Sequence, residues 1–209
     1  MRGRRLIGAA AAAVAITVMS TVPAHATITL FHDHVDLLDV DWTGSALTLD
    51  LRDYAAGVDR NPTDVELLVK SSAKTTVPSG SQYAFLGNPG DPVWILPQGL
   101  PEATALDVLY LGWNSNGVTT NPPGPMTIHL VSVTGPDDFS AFTTGTFGTV
   151  TKLFDSGDGT PDTLPLALND HKHANWAFEA SGTYQVRLKV TAAGGITTGE
   201  KVYTFVVQP

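Results

Sequence analysis

The chain has 209 residues, with 12 Lys and Arg against 20 Asp and Glu, and it contains no cysteine. A formal net charge of -8 argues against nucleic acid and anionic membrane as partners, because both reward Lys and Arg. Without cysteine, neither disulfides nor thiolate metal sites are available.

The first element, "MRGRRLIGAAAAAVAITVMSTVPAHA", joins a basic start at Arg2, Arg4 and Arg5 to an apolar middle and a small-residue end at Ala24-His25-Ala26. That pattern predicts a secretory signal peptide over residues 1–26. Its apolar stretch is short and Ala-rich beside the about 20 strongly apolar residues of a membrane helix, and no later stretch is long enough, so no membrane span is expected. Cleavage removes three arginines and no acid, taking the net charge from -8 to -11. Residues 27–209 are expected to form one exported domain large enough to bury a core without covalent staples.

Along that domain the periodicity is two. In "GTYQVRLKVT", Tyr184, Val186, Leu188 and Val190 share one face and Gln185, Arg187 and Lys189 the other, which predicts a half-buried strand. "SALTLDL", "DVELLVKS", "PVWILP", "DVLYLGW", "MTIHLVSV" and "EKVYTFVV" read the same way. Between them lie turn formers such as "NPGDP", "NSNG", "NPPGP", "SGDGTPD" and "AAGG". Only "LPEATALDVLY" can carry a helical turn. The expected class is all-β, an antiparallel β-sandwich of immunoglobulin-like or jelly-roll-like type. "GTYQVRLKVT" and "EKVYTFVV" are expected to pair as an antiparallel hairpin.

Two segments carry candidate chemistry. "FHDHVDLLDV", read as an extended strand, puts His32, His34 and Asp36 on one face; "HKHANWAF" does the same for His171, His173 and Asn175 and turns Trp176 and Phe178 to the core. One H-x-H pair on a surface strand is readily an accident. Two pairs hold four of the five histidines after residue 26, the fifth being His129, read as a strand residue. If the segments meet, His34, His171 and His173 bind one ion, and His32 or Asp36 completes the shell. Nitrogen-rich, sulfur-free ligation suits zinc, copper, nickel or iron, and a closed tetrahedral set favours zinc. Histidines bind metal unprotonated, so affinity is expected to fall as pH drops.

Other conspicuous residues read more plainly. Trp94 and Trp113 sit among aliphatics and are assigned to the core. Asp155, Asp158 and Asp162 in "DSGDGTPD" depart from calcium-loop spacing and read as an acidic turn. Asp39 and Asp41 are read as solvated charge.

In this order, "HDHVDLLDVDW", "PVWILPQ", "LGWN", "VSVTGPDDFSAF" and "HKHANWAFEASGTYQVRLKV" resemble the choice-of-anchor M domain, also called the actinobacterial surface-anchored protein domain. The resemblance covers nearly all of residues 29–207. It rests above all on H-x-H-x-N-W-x-F followed by G-x-Y. It implies an exported or wall-anchored protein associated with ABC transporters of the metal-uptake type, handling metal outside the membrane. His34 and Asp36 match its H-V-D element, His171, His173, Asn175 and Trp176 its second element, and His32 matches more loosely. The chain ends at "TFVVQP" without a sorting motif or hydrophobic tail, so free secretion or retention by a partner is expected rather than covalent anchoring.

The leading expectation is a non-enzymatic protein that captures or buffers a divalent transition metal for an importer. An alternative is a copper oxygenase whose amino-terminal histidine is His25, which requires cleavage after Ala24. G-x-S-x-G, H-E-x-x-H and a cysteine nucleophile are all missing, which disfavours conventional hydrolysis. A structural or adhesive surface module is the third class, because sandwiches host many functions.

Overall fold

The computed structural model describes residues 27–119 and 124–209; the expected leader, His25 included, lies outside the described residues. Strands β1 (Ile28–Leu30), β2 (Asp33–Trp42), β3 (Leu47–Asp53), β4 (Val58–Arg60), β5 (Val65–Val69) and β6 (Lys74–Thr76) come first. They are followed by β7 (Pro92–Leu96), the helix α1 (Leu100–Leu106), β8 (Leu109–Gly117), β9 (Met126–Thr134), β10 (Phe139–Thr144) and β11 (Val150–Asp155). The last five strands are β12 (Asp162–Leu166), β13 (His171–His173), β14 (Asn175–Phe178), β15 (Gly182–Ala192) and β16 (Lys201–Val207).

Among the described residues the strands form three sheets, ordered β1-β5-β16-β15-β9-β12, β11-β10-β14-β7-β6 and β13-β8-β2-β3-β4. The fold is all-β and sandwich-like, with one main core that draws Leu49 from β3, Trp176 from β14 and Val186 from β15. The expected hairpin forms: β15 pairs β16 antiparallel, with Tyr184 opposite Phe205 and Val186 opposite Tyr203, all fully buried. Gly194 and Gly195 in the connection adopt φ of 77° and 79°, a region open to glycine without a Cβ penalty. Three pairings are parallel: β1 with β5, β16 with β5, and β2 with β8. Alternation decides which face of a strand is buried and carries no information on strand direction, so these pairings were not legible in the pattern.

Two local departures position the site. β2 has a register shift between Asp36 and Asp39, and both Leu37 and Leu38 are fully buried. One extra residue is thereby absorbed as a bulge. Asp36 then lies opposite Gly112 and Asp39 opposite Asn114, two positions further along β8, so both acids face the same side of the sheet. The second departure divides "HKHANWAF". It is not one strand: β13 pairs β8, while β14 pairs β7 and β10 in another sheet, and buried Ala174 is the crossing point.

Candidate metal centre

β8 lies between β2 and β13, so those two strands stand about 10 Å apart, twice the strand spacing. Asp36, Gly112 and His173 lie in register across the three strands. The middle position has no side chain, and the outer two reach toward each other over it. A Cβ on Gly112 would stand 2.8 Å from Asp36 Oδ1, 2.8 Å from His173 Cε1 and 2.6 Å from the Lys172 carbonyl oxygen. Glycine is what leaves room for the group above it.

That group is His34, Asp36, His171 and His173, whose donor atoms all lie within 4.8 Å of one another. Nε2 of His34 is 3.2 Å and Nε2 of His171 is 3.0 Å from Asp36 Oδ1. Asp36 is fully buried, and Tyr54 donates its hydroxyl hydrogen to Oδ2 at 2.9 Å. Tyrosine rings flank the histidines: Tyr54 stacks on His34 at 4.0 Å between centroids, and Tyr110 on His173 at 3.7 Å. The His34 and His171 side chains keep 26% and 32% of their surface exposed, so the group opens to solvent on one side.

The electrostatics keep the imidazole lone pairs available. Burial pushes the pKa of His173 down to about 4, with His34 adding to the effect, and burial also lowers that of His34 against the pull of Asp36. Both are neutral at neutral pH. Nδ1 of His173 is buried without a hydrogen-bond partner, a cost that native interiors rarely leave standing.

The four side chains could hold a metal ion. Zinc bonds of about 2.0 Å at tetrahedral angles separate neighbouring donors by about 3.3 Å, close to the 3.2 and 3.0 Å between the two Nε2 atoms and Oδ1. Three imidazoles and one carboxylate are donors that suit zinc and its transition-metal neighbours and lack the oxygen-rich set that calcium prefers.

His32, the other candidate for the fourth ligand, does not join this group. Asp33 adopts φ of 70°, which breaks the extended run that parity assumed, and β2 begins only there. The His32 ring instead places Nδ1 3.2 Å from Asp33 Oδ2 and 3.8 Å from Asp107 Oδ1. Asn175 is also elsewhere: its Oδ1 accepts from the Gln98 backbone amide at 2.9 Å, tying β14 to the loop after β7.

Asp39, read from sequence as solvated, is only 8% exposed, on the same face of the sheet as the buried Asp36. Its carboxyl is pushed up to about 7 by burial and then by Asp41 and Asp59. The acidic turn has its own cation, since the Lys152 ammonium pairs with Asp155 and Asp158. Nε2 of His129 lies 2.8 Å from Thr191 Oγ1, and Trp94 and Trp113 are in the core.

Tyr54, Tyr110 and Gly112 were not singled out from sequence. Tyr110 and Gly112 sit two apart in "DVLYLGW" and so share a face, but nothing local marks that face as the one turned to the histidines. No protein-family model, curated protein or solved structure matches this chain. The case for the centre therefore rests on its donors and their geometry.

Proposed function

We propose that this is an exported protein that captures or buffers a divalent transition metal, zinc above others, and passes it to a membrane importer. The observation that carries the metal reading is the convergence of three imidazoles and a buried carboxylate over Gly112. Copper and other divalent transition metals can use the same donors. Export rests on the leader pattern of residues 1–26, and the importer on the resemblance of the H-V-D and H-x-H-x-N-W-x-F elements to the surface-anchored domain. A carboxylate in the shell leaves the zinc complex one positive charge nearer neutrality than four imidazoles would. Partial exposure of His34 and His171 suits an ion that must leave again.

The test is calorimetric titration of untagged, chelator-treated protein with zinc, copper and manganese. One zinc per chain at micromolar or tighter affinity is expected, with binding lost when His171 and His173 are both replaced by alanine. Equal binding by that double variant, or none by the unaltered protein, overturns the proposal.

A further inference from the structure

Away from the histidines, β10 and β14 bring a second set of donors together. Phe139 lies opposite Phe178, and one step further out the Glu179 amide donates to the Asp138 carbonyl at 3.2 Å. Residues paired in this way turn their side chains to the same face. Asp137, Asp138 and Glu179 each offer a carboxylate oxygen, and these oxygens all lie within 4.8 Å of one another. Among the described residues no Lys or Arg pairs with any of the three, and the Lys152 ammonium is committed to Asp155 and Asp158.

Two buried oxygens on this face have no partner. Glu179 Oε1 is sealed from solvent and accepts no hydrogen bond. Ser140 is fully buried, and its hydroxyl is likewise unpaired. Its cross-strand neighbour Asp155 fixes the face that it takes. A Cβ on Gly157 would stand 2.7 Å from Asp138 Oδ2 and 3.2 Å from Asp155 Oδ1, so those two carboxylates share a face, and Ser140 shares it with them. Native interiors rarely leave such atoms unsatisfied, and a water or an ion is the usual answer. Burial, and then Asp138, Asp137, Asp155 and Asp91, push the Glu179 carboxyl up to about 7. Water leaves that repulsion in place, whereas a cation removes it. We propose that Asp137, Asp138 and Glu179 bind a calcium ion, which ties the loop before β10 to the end of β14.

The donors are all oxygen, unlike those of the histidine centre, and calcium takes such sets. Oxygens on opposite sides of a calcium ion, at bonds of about 2.4 Å, stand about 4.8 Å apart, so the whole group fits within one shell. Existing bonds leave Oδ2 of both aspartates free: Asp137 Oδ1 accepts from the Asp138 amide at 3.0 Å, and Asp138 Oδ1 from the Ser156 hydroxyl at 3.2 Å. Calcium takes about six to eight oxygens, so water must supply the remainder. An adjoining cavity of about 300 Å³, lined by Asp137, Asp138, Ser156 and Thr160 among others, has room for it. A shell water over β10 also gives the Ser140 hydroxyl its partner.

The test is calorimetric titration with calcium, and thermal melts in calcium, in magnesium and in chelator, on untagged protein in about 0.15 M salt, which screens exposed acids. Glu179→Gln, Asp138→Asn, the His171→Ala, His173→Ala double variant and a Glu102→Gln control are compared with the unaltered chain. One calcium per chain is expected at a Kd of about 0.1 to 1 mM, the range of extracellular calcium modules, with a raised melting temperature. Glu179→Gln and Asp138→Asn should weaken binding by at least about tenfold, since even the partners of metal ligands are worth that much. Glu179→Gln should melt no lower than the unaltered protein in chelator, because it removes a repelled carboxylate, and that result shows it to be folded. The control and the double-histidine variant should bind calcium as the unaltered protein does. No calcium response in the unaltered chain overturns the proposal, and so does an equal response to magnesium. Full binding by Glu179→Gln and Asp138→Asn overturns it too. Loss in the double-histidine variant alone places the calcium at the other centre and overturns it as well.

Discussion

Asp36 is fully buried among the three histidines, and the residue that makes this tolerable is Tyr54. Its hydroxyl donates to Oδ2, which leaves Oδ1 turned toward the two histidine Nε2 atoms. Partners of this kind orient metal ligands, and their removal typically costs 10- to 100-fold in affinity. Tyr54→Phe keeps the ring against His34 and deletes only the hydroxyl. Zinc affinity should fall by roughly tenfold in calorimetry, with little change in the melting temperature of the metal-free protein. Trp176 has the opposite character. It is fully buried, and its indole donates to the Leu111 carbonyl at 3.3 Å, just before Gly112 on β8. Trp176→Ala should cost about 3 to 5 kcal/mol in denaturant unfolding, as large aromatic truncations do. A loss under about 1 kcal/mol would contradict the core assignment.

Among elements, β8 decides the centre by lying between the two strands that supply the ligands. Its own contribution is a gap at Gly112. Gly112→Ala puts a methyl 2.6 Å from the Lys172 carbonyl and 2.8 Å from both Asp36 Oδ1 and His173 Cε1, closer than such atoms approach. β13 is a three-residue edge strand, so it is the element that yields. We expect zinc affinity to fall by at least tenfold in calorimetry while β-sheet circular dichroism is retained. Undiminished binding would mean that the Asp36 and His173 side chains do not need the gap over this glycine. The bulge in β2 does a related job. Without it, the parity of Asp39 and Asp41 would oppose that of Asp36 and aim acids into the core; with it, all three share the outer face and both leucines are buried.

For the whole molecule, ionisable groups with restricted access to water make stability depend on pH. Asp39 and Glu179 have carboxyls pushed up to about 7, by burial first and then by neighbouring acids. Groups raised in this way contribute stability that is complete below the ordinary carboxyl value near about 4 and lost as pH rises through about 7. His173 works in the other direction. Its folded value of about 4 lies below the ordinary histidine value, so its contribution is complete above about 6.5 and lost as pH falls through about 4. Two raised carboxyls outweigh one lowered histidine across this range, so metal-free protein should melt at lower temperature at pH 8 than at pH 5. Asp39→Asn should flatten the alkaline side, by an amount of order 1 kcal/mol once solvent screening is allowed for. Thermal melts from pH 4 to 9 measure both effects; an alkaline slope left intact in that variant would mean that the Asp39 carboxylate is solvated.

Sequence by itself determined the class, the hairpin of β15 and β16, the buried tryptophans and the two segments that carry the histidines. All of these follow from side-chain parity and turn chemistry, which act over a few residues. It also left the fourth ligand open between His32 and Asp36, because each stands two residues from His34. Tertiary structure groups Asp36, and not His32, with the three histidines: Asp33 has a positive φ, which turns His32 into a neighbouring cleft, and Asp36 is buried beneath Tyr54. The division of "HKHANWAF" between two sheets, the parallel pairing of β2 with β8 and the gap at Gly112 were likewise settled only there. Residues 36, 112 and 173 come together through strand pairing alone, and a two-residue period read along one strand says nothing about which strand lies beside it.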